Sequence, residues 1–455
     1  LKTIILGITF FTIFILGSRG ANITTALIVT IIAILGMKNA ILNKKLSLLV
    51  IGAFFLGIAF NSITFKNDDS LNYLTRTSNV LDTSSQKRLG YYKFAIKSIL
   101  NNPILGIGLG NWKIYSIKSE SQVYDDYQIP FHVHNDYLEV ATETGIIGML
   151  LFFGIYIYIF LGYIKFFRRP KIPEKDKVLG IISIIGLFVY LCDSFLNFPF
   201  TRPVMQVPNL FLFGLSIYLI TKNDILLFPK LKINFKENIK YLYMIFLPLG
   251  LIFSIYISYQ IFISFKQQQF LIATTRSITS NYGPDDVYKV NSKIPNITVH
   301  TVPIDALKAT LLMRLDMRDS ILKFVNNGNK ANPFIGYPDL VKSLYFIGES
   351  EIDSGYKYSK KAYNTFQGAY NHFDHFMNMV EFKRDSIELT KIYENLKDNY
   401  SKKRYVKYLQ TAARVKNNLT FTDKELIERL SVNNPLNSVN KAFTIMGEIG
   451  RENVR

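Results

Sequence analysis

The chain has 455 residues, 49% of them hydrophobic and 19% charged, with a formal net charge of +19. Long runs of Ile, Leu, Phe and Gly fill most of the first 265 residues, which excludes a wholly water-soluble protein, while the remainder reads as soluble sequence. The basic excess does not single out nucleic acid as a partner: much of it lies in short loops between apolar runs, and the lysines of the tail are interspersed with Asp and Glu.

Seven apolar runs reach or approach the ~20 residues needed to span a bilayer: 2–17, 21–36, 46–60, 146–167, 178–196, 204–221 and 241–265. The first three are short and need flanking residues to cross. Lys2 and the run after it have the form of a signal peptide, but Arg19 and a second run follow at once, so a hairpin of membrane helices is expected instead. Lys38, Lys44 and Lys45 lie after run two. Lys165, Arg168, Arg169, Lys171, Lys175 and Lys177 cluster at and after the end of run four, and Lys222, Lys230, Lys232, Lys236 and Lys240 follow run six. Placing these three loops in the cytoplasm satisfies the positive-inside rule with one alternation. Residues 18–20, 61–143, 197–203 and everything after 265 then face outward. The expected fold is all-α: a membrane domain at 1–265 with about seven spans, and an extracytoplasmic helical domain at 266–455. The single Cys192 cannot form an intramolecular disulfide and leaves the redox compartment open.

The outward loop 61–143 is long, and long loops on a membrane scaffold often carry function. Asp82-Thr-Ser-Ser offers N-caps for a helix over 86–100, with Arg88 in its first turn and Leu89, Tyr92, Ala95, Ile96 and Ile99 as an apolar stripe. Asn101-Asn-Pro103 stops it. Gly106-Ile-Gly-Leu-Gly110 has the look of a phosphate loop, but no strand precedes it, so glycines for a tight turn are the better reading. In Phe131-His-Val-His-Asn-Asp-Tyr137, Asn135 and Asp136 are good N-caps for the helix leading into run four. His134 then sits just before a helix at a membrane boundary, where a neutral imidazole can accept a proton. His132 lies two residues away, and an extended segment would point both rings to one side. Glu139 and Glu143 share a helix face at i,i+4. Gly145 and Gly148 mark the passage into the membrane. Arg19 breaks two apolar runs, and a guanidinium so placed usually has a partner or a task; its planar fork suits a phosphate or diphosphate. Arg88 could supply a second fork and Arg202, in the short outward turn, a third.

In the tail, helices are expected at 305–325, 340–348, 355–380 and 385–415. Ala362, Phe366 and Ala369 have the small-large-small spacing of a tetratricopeptide second helix. His372 and His375 could share a metal, but no Cys or third histidine stands near to complete a site, so an exposed helix face is expected and no metal site is assigned.

Three elements in order resemble a known family: Ser18-Arg-Gly-Ala21, the stretch from Arg88-Leu-Gly-Tyr-Tyr to Asn102-Pro-Ile-Leu-Gly-Ile-Gly-Leu-Gly110, and His134-Asn-Asp-Tyr-Leu-Glu-Val-Ala-Thr-Glu-Thr-Gly-Ile-Ile-Gly148. They are similar to the O-antigen ligase and O-antigen polymerase superfamily of bacterial membrane glycosyltransferases, over roughly residues 18–221. Members usually have more membrane helices before the Ser-Arg-Gly element, so further helices are expected ahead of Leu1. The resemblance implies a glycan carried on a polyprenyl diphosphate and moved to an acceptor hydroxyl, such as lipid A core, at the outer face of the bacterial inner membrane. It implies no cofactor, no nucleotide sugar and no metal. Arg19 and Arg88 would hold the diphosphate and His134 would be the base, with inversion at the sugar; Arg202, His132, Asn135 and Glu143 are further candidates for substrate contacts. A polymerase and a protein O-oligosaccharyltransferase of the same superfamily fit these motifs equally. From a different class, a transporter or receptor should show polar or broken helices near mid-membrane, whereas the polar residues here collect at the outer surface.

Overall fold

A computed structural model of the chain describes residues 2–16, 19–37, 44–68, 71–74, 83–120, 129–225, 238–276, 282–292, 296–396 and 402–416. Helices and connecting turns make up these residues, and among them there is no strand. The contacts divide the chain into two compact units, Leu1–Lys113 with Pro130–Asn234, and Ile114–Ile129 with Phe235–Arg455.

The first unit contains α1 (Lys2–Ile15), α2 (Arg19–Met37), α3 (Lys44–Thr64), α4 (Thr83–Asn101), α5 (Asp136–Arg168), α6 (Glu174–Asp193) and α7 (Pro203–Lys222). Helices α1 and α3 meet through Phe10, Phe14, Ala53 and Phe54, with both phenylalanines of α1 edge-on to Phe54 at 5.6 and 5.7 Å. The close crossing needs Gly57, where a Cβ would stand 2.8 Å from the Cβ of Phe10. Helices α5, α6 and α7 enclose a second core of Tyr156, Ile159, Tyr163, Phe166, Leu187, Tyr190, Leu219 and Ile220. Two polar pairs close inside it, as burial favours: Tyr163 Oη donates to Ser216 Oγ, and Asn209 Nδ2 donates to Tyr156 Oη.

At one end of this bundle Lys222 pairs with Asp176 at 2.8 Å, and Arg169 donates to the carbonyls of Asn223 and Asp224. The C-termini of α5 and α7 and the N-terminus of α6 therefore lie together. The opposite end gathers the N-terminus of α5 and the α6–α7 turn. Among the described residues, four helices are long and apolar enough to cross a membrane: Lys44–Thr64, Asp136–Arg168, Pro203–Lys222 and Met244–Thr275. The other three expected runs are also helices. Ile4–Ile15 and Gly20–Ile34 are apolar but short, and α6 opens with the charged Glu174, Lys175, Asp176 and Lys177.

The second unit includes α8 (Asn238–Arg276), which leaves most of its apolar side chains exposed, as lipid contact requires, and buries Leu271 near its end. After the short α9 (Pro284–Lys289) come α10 (Ile304–Arg314), α11 (Ile321–Ala331), α12 (Tyr337–Gly348), α13 (Ile352–Thr365), α14 (Tyr370–Lys383), α15 (Ser386–Leu396) and α16 (Lys402–Lys416). These are successive helical hairpins. Their first helices start at Ile304, Tyr337 and Tyr370, 33 residues apart each time, close to the tetratricopeptide period of about 34. Three helices expected as single pieces are each split. The 305–325 stretch breaks at residues 315–320, where Asp316 takes a positive φ of 57°. The 355–380 stretch breaks at Phe366–Ala369, because those two side chains turn inward into a buried cluster. The 385–415 stretch is two helices on either side of residues outside the described set. The Ala362, Phe366, Ala369 pattern thus straddles a helix end. His372 and His375 are not an exposed face. His372 is 2% exposed beneath Gly336, and the Nε2 of His375 bonds to Ser343 Oγ at 2.9 Å.

Candidate active site

The start of α5 is built as its sequence predicts. Asn135 is the N-cap; its Oδ1 accepts from the Leu138 amide at 3.0 Å, which satisfies one of the orphan donors of the first turn. Its Nδ2 reaches across to donate to the Phe195 carbonyl. Asp136, 1% exposed, does the same work with its backbone and carboxylate together. Its N–H donates to Ser194 O at 2.8 Å, and its Oδ2 accepts from Ser194 Oγ and the Phe200 amide. Two consecutive residues therefore clamp the N-terminus of α5 onto the α6–α7 turn.

The histidine segment is pinned by Glu139, one turn into the helix. Its two carboxylate oxygens take different donors, His132 Nδ1 at 3.0 Å and the Val133 amide at 2.8 Å. The segment is not simply extended: His134 has φ 62°, a left-handed conformation uncommon for a residue with a Cβ. Tyr92 Oη, from α4, holds that turn by donating to the His134 carbonyl at 3.0 Å. Both imidazoles nonetheless meet on one ring. Phe198 stacks with His132 at 4.1 Å, lies edge-on to His134 at 5.0 Å, and has the Arg202 guanidinium carbon 4.2 Å from its centroid. His134 is half-buried, and its Nδ1 is buried without a hydrogen-bond partner among the described residues. Its pKa is lowered from 6.5 to about 4, first by burial and then by the positive charges of Arg88, His132 and Arg202.

Arg88 projects from the first half of α4 and donates one Nη1–H to the Leu196 carbonyl at 3.0 Å. The side chain of Arg19 lies outside the described residues, but its backbone opens α2 beside Gly20. Gly20 is buried against the same turn: a Cβ there would come 2.9 Å from Asn197 Nδ2 and 3.5 Å from Leu196 Cβ. Residues 193–202 are thus the hub. Arg88, Asn135, Asp136, both histidines, Arg202 and the start of α2 all touch it.

Glu143 does something else. Its Oε1 accepts from the Trp112 amide at 2.9 Å, which anchors the end of the glycine loop. That loop satisfies a break in α5, where Gly145 has φ 71° and interrupts the helix. The carbonyls of Thr142 and Glu143 are met by the amides of Ile107 and Gly108, and the Ile146 amide by Pro103 O, each at 2.9 Å. Gly106, Gly108 and Gly110 have positive φ, as the tight-turn reading requires. Sequence reasoning missed Phe198, Tyr92, Ser194 and the anchoring role of Asp136. The one available signal was Asn197-Phe-Pro-Phe-Thr-Arg-Pro203, an aromatic and proline-rich turn between two apolar runs.

Residues 4–153 match the O-antigen ligase family. Over that stretch the chain is similar to the O-antigen ligases. Among curated proteins, a segment of the chain is 23% identical over 142 residues to the exopolysaccharide production protein ExoQ of Rhizobium meliloti, covering 28% of this chain and 32% of that one. It is 35% identical over 113 residues to a protein of Rickettsia conorii named as a candidate polysaccharide ligase, and 32% identical over 112 residues to its counterpart in Rickettsia felis, covering 24% of this chain and 27% of each relative. The chain thus spans about a third or less of the length of these relatives. No solved structure matches it. The ligase match includes Arg19, Arg88, the glycine loop and both histidines; Phe198 and Arg202 lie beyond its end.

Proposed function

We propose that this protein transfers a glycan from a polyprenyl diphosphate to an acceptor hydroxyl, lipid A core in the ligase case, at the outer face of the bacterial inner membrane. One observation carries the proposal: Arg88, Arg202, His132 and His134 gather on the Phe198 turn, at the end of the bundle opposite the Lys222–Asp176 pair. Basic residues cluster at that opposite end, which the positive-inside rule assigns to the cytoplasm.

In the reaction the acceptor oxygen attacks the anomeric carbon from the side opposite the leaving group. The bond from that carbon to the phosphate oxygen breaks, its electron pair leaves with the diphosphate, and the configuration inverts. His134 takes the acceptor's proton. Arg88, which uses one N–H on Leu196 O, offers the rest of its fork to the diphosphate; Arg202 and Arg19 complete the cationic lining and stabilise the charge that grows as the bond breaks. A lipid diphosphate is a good leaving group, so no separate acid is needed. The same arginines that bind the donor also act on the base. Their charges disfavour an imidazolium in the free protein, and a bound dianion offsets those charges, so His134 becomes a stronger base once the donor is seated. The C-terminal helical hairpins belong to the outer side in this scheme.

The test is reconstitution with a polyprenyl diphosphate glycan, offered lipid A core, a second lipid-linked glycan or a serine-rich peptide, with and without chelator. Chelator-resistant glycan on lipid A core is expected. A lengthened lipid-linked chain would make the protein a polymerase and glycopeptide would make it a protein-directed transferase. No transfer to any of these would refute the proposal.

A further inference from the structure

Helix α4 buries one side against α5 and exposes another of unusual make-up. Ala95 and Ser98 are buried, and Thr142 Oγ1 of α5 comes 3.5 Å from the Ala95 carbonyl. On the far side Leu89, Ile96 and Leu100 form one line at i, i+7 and i+11, with the exposed Lys93 and Lys97 along its flank. Leu89 and Ile96 belong to the apolar stripe expected to face a core, yet each is half exposed. The apolar surface continues past the end of the helix into the glycine loop. Ile104, Leu105 and Leu109 are all exposed, the last two by 77% and 75%. So continuous an apolar patch is unusual on a surface that faces water.

The backbone of the loop is as closed to water as its side chains are ill suited to it. The amides of Gly106, Ile107 and Gly108 donate to the carbonyls of Asn102, Thr142 and Glu143 at 2.9–3.1 Å, and Asn111 Nδ2 donates to the Ile107 carbonyl at 2.9 Å. The Trp112 amide is taken by Glu143 Oε1. A loop in water can leave such groups to solvent, whereas irregular backbone at membrane depth must satisfy them within the protein. Positive φ at Gly106 and Gly108 makes the closure possible, since the peptide edges turn in to α5 while the leucines stay outside.

Two contacts set the depth of this surface. Near the start of α4, Arg88 donates to the Leu196 carbonyl, three residues beyond the end of α6. Past its other end, Pro103 O accepts from the amide of Ile146, where the apolar stretch of α5 begins. A helix tied at both ends to places where membrane helices finish lies along the bilayer surface. From the point where the loop touches α5, Ile146, Ile147, Leu150 and Leu151 carry exposed apolar surface on into the span.

We propose that α4 and the glycine loop form a membrane-surface element. Leu100, Ile104, Leu105 and Leu109 insert among the acyl chains of the leaflet on the Phe198 side, and Lys93 and Lys97 reach the lipid phosphates. Phospholipid is the occupant because the patch is continuous with the lipid-facing side of α5 and carries its cations on one flank, as at a headgroup boundary. Lipid contact of this kind holds whatever the chain transfers, and it gives the glycine loop a role beyond closing the break in α5.

The experiment uses the full chain in nanodiscs of phosphatidylethanolamine and phosphatidylglycerol, with Cys192→Ser removing the native thiol. Nitroxide labels are placed one at a time on Leu105→Cys, Leu109→Cys and Lys97→Cys. Leu151→Cys on the span and Lys175→Cys at the charged start of α6 are the references for lipid and water. All five positions are exposed, so the labels displace no core, and circular dichroism checks each fold. Power saturation then compares collisions with oxygen, which concentrates in lipid, and with a water-soluble nickel chelate. Labels at 105 and 109 should match the oxygen-rich, nickel-poor ratio at 151, and the label at 97 should fall between 151 and 175. Nickel collisions at 105 and 109 equal to those at 175, or a label at 97 deeper than both, would overturn the proposal. So would shielding of 105 and 109 from both reagents, the mark of a contact with a second copy of the chain.

Discussion

Replacing Arg88 with Gln tests the electrostatics of the site most directly. His134 titrates at about 4 where a free imidazole titrates at 6.5; burial contributes most, and Arg88 is the largest of the charges acting on it. The whole displacement is worth about 3 kcal/mol against the imidazolium. Because burial is untouched, Arg88→Gln should raise the His134 pKa while leaving it below 6.5. A lipid diphosphate analogue, which brings two negative charges to the same place, should raise it further in the wild type. Carbon-13 NMR of labelled histidine in nanodiscs reads both shifts without turnover. In kinetics, kcat/KM reports the free enzyme and kcat the complex. The acid limb of kcat/KM should therefore fall near pH 4 and that of kcat at higher pH. The linkage has the matching sign. A group whose folded pKa is depressed contributes nothing adverse above its unfolded value, so stability is full above about pH 6.5 and is lost as pH falls towards 4. Arg88→Gln should blunt that loss. A wild-type His134 titrating at 6.5, or an analogue that lowers its pKa, would refute the reasoning.

Two further substitutions probe the scaffold. Glu139→Gln keeps the shape but has one acceptor oxygen for two donors. It should cost about 1–3 kcal/mol in thermal unfolding and move the His132 proton from Nδ1 to Nε2, which nitrogen-15 NMR detects. Gly145→Ala places a Cβ 2.0 Å from Ile104 O at a φ of 71°, so it should cost at least about 1–3 kcal/mol. Gly154→Ala, with nothing within 4 Å of the added carbon, should be neutral or slightly stabilising in the same melt.

What could be read from the sequence was what depends on near neighbours. The Asn135 cap, the helix carrying Arg88 and the apolar runs follow from patterns a few residues long, and they appear at or close to the expected positions. The distant pairings were not readable. Phe198 means nothing until His132 and His134 lie against it. The glycine loop resembled a phosphate loop because its real partners, the Thr142 and Glu143 carbonyls, exist only once α5 breaks at Gly145. The same holds in the tail. Gly368 stands in the break at Phe366–Ala369, but the packing that the break serves, Phe366 and Ala369 against Ile117 and Ile129 from another part of the chain, could not be read. The 33-residue period went unseen because the hairpins share lengths and packing more than residue identities. His372 was expected outside because its cover, Gly336, comes from the preceding hairpin.

The break in α5 has a consequence for what can be processed. It divides the helix into a stub of about nine residues, no more than roughly 15 Å long, and a stretch of about 23 residues, near 34 Å, enough to cross the hydrocarbon. The stub works as a stand-off of fixed height. If the protein acts as proposed, the stub would keep the imidazoles within the headgroup layer, where a sugar joined to its lipid by a diphosphate could reach them while the tail stays in the bilayer. A glycan released into solution would have no such vertical registration, and depth would join charge as a selector of the donor.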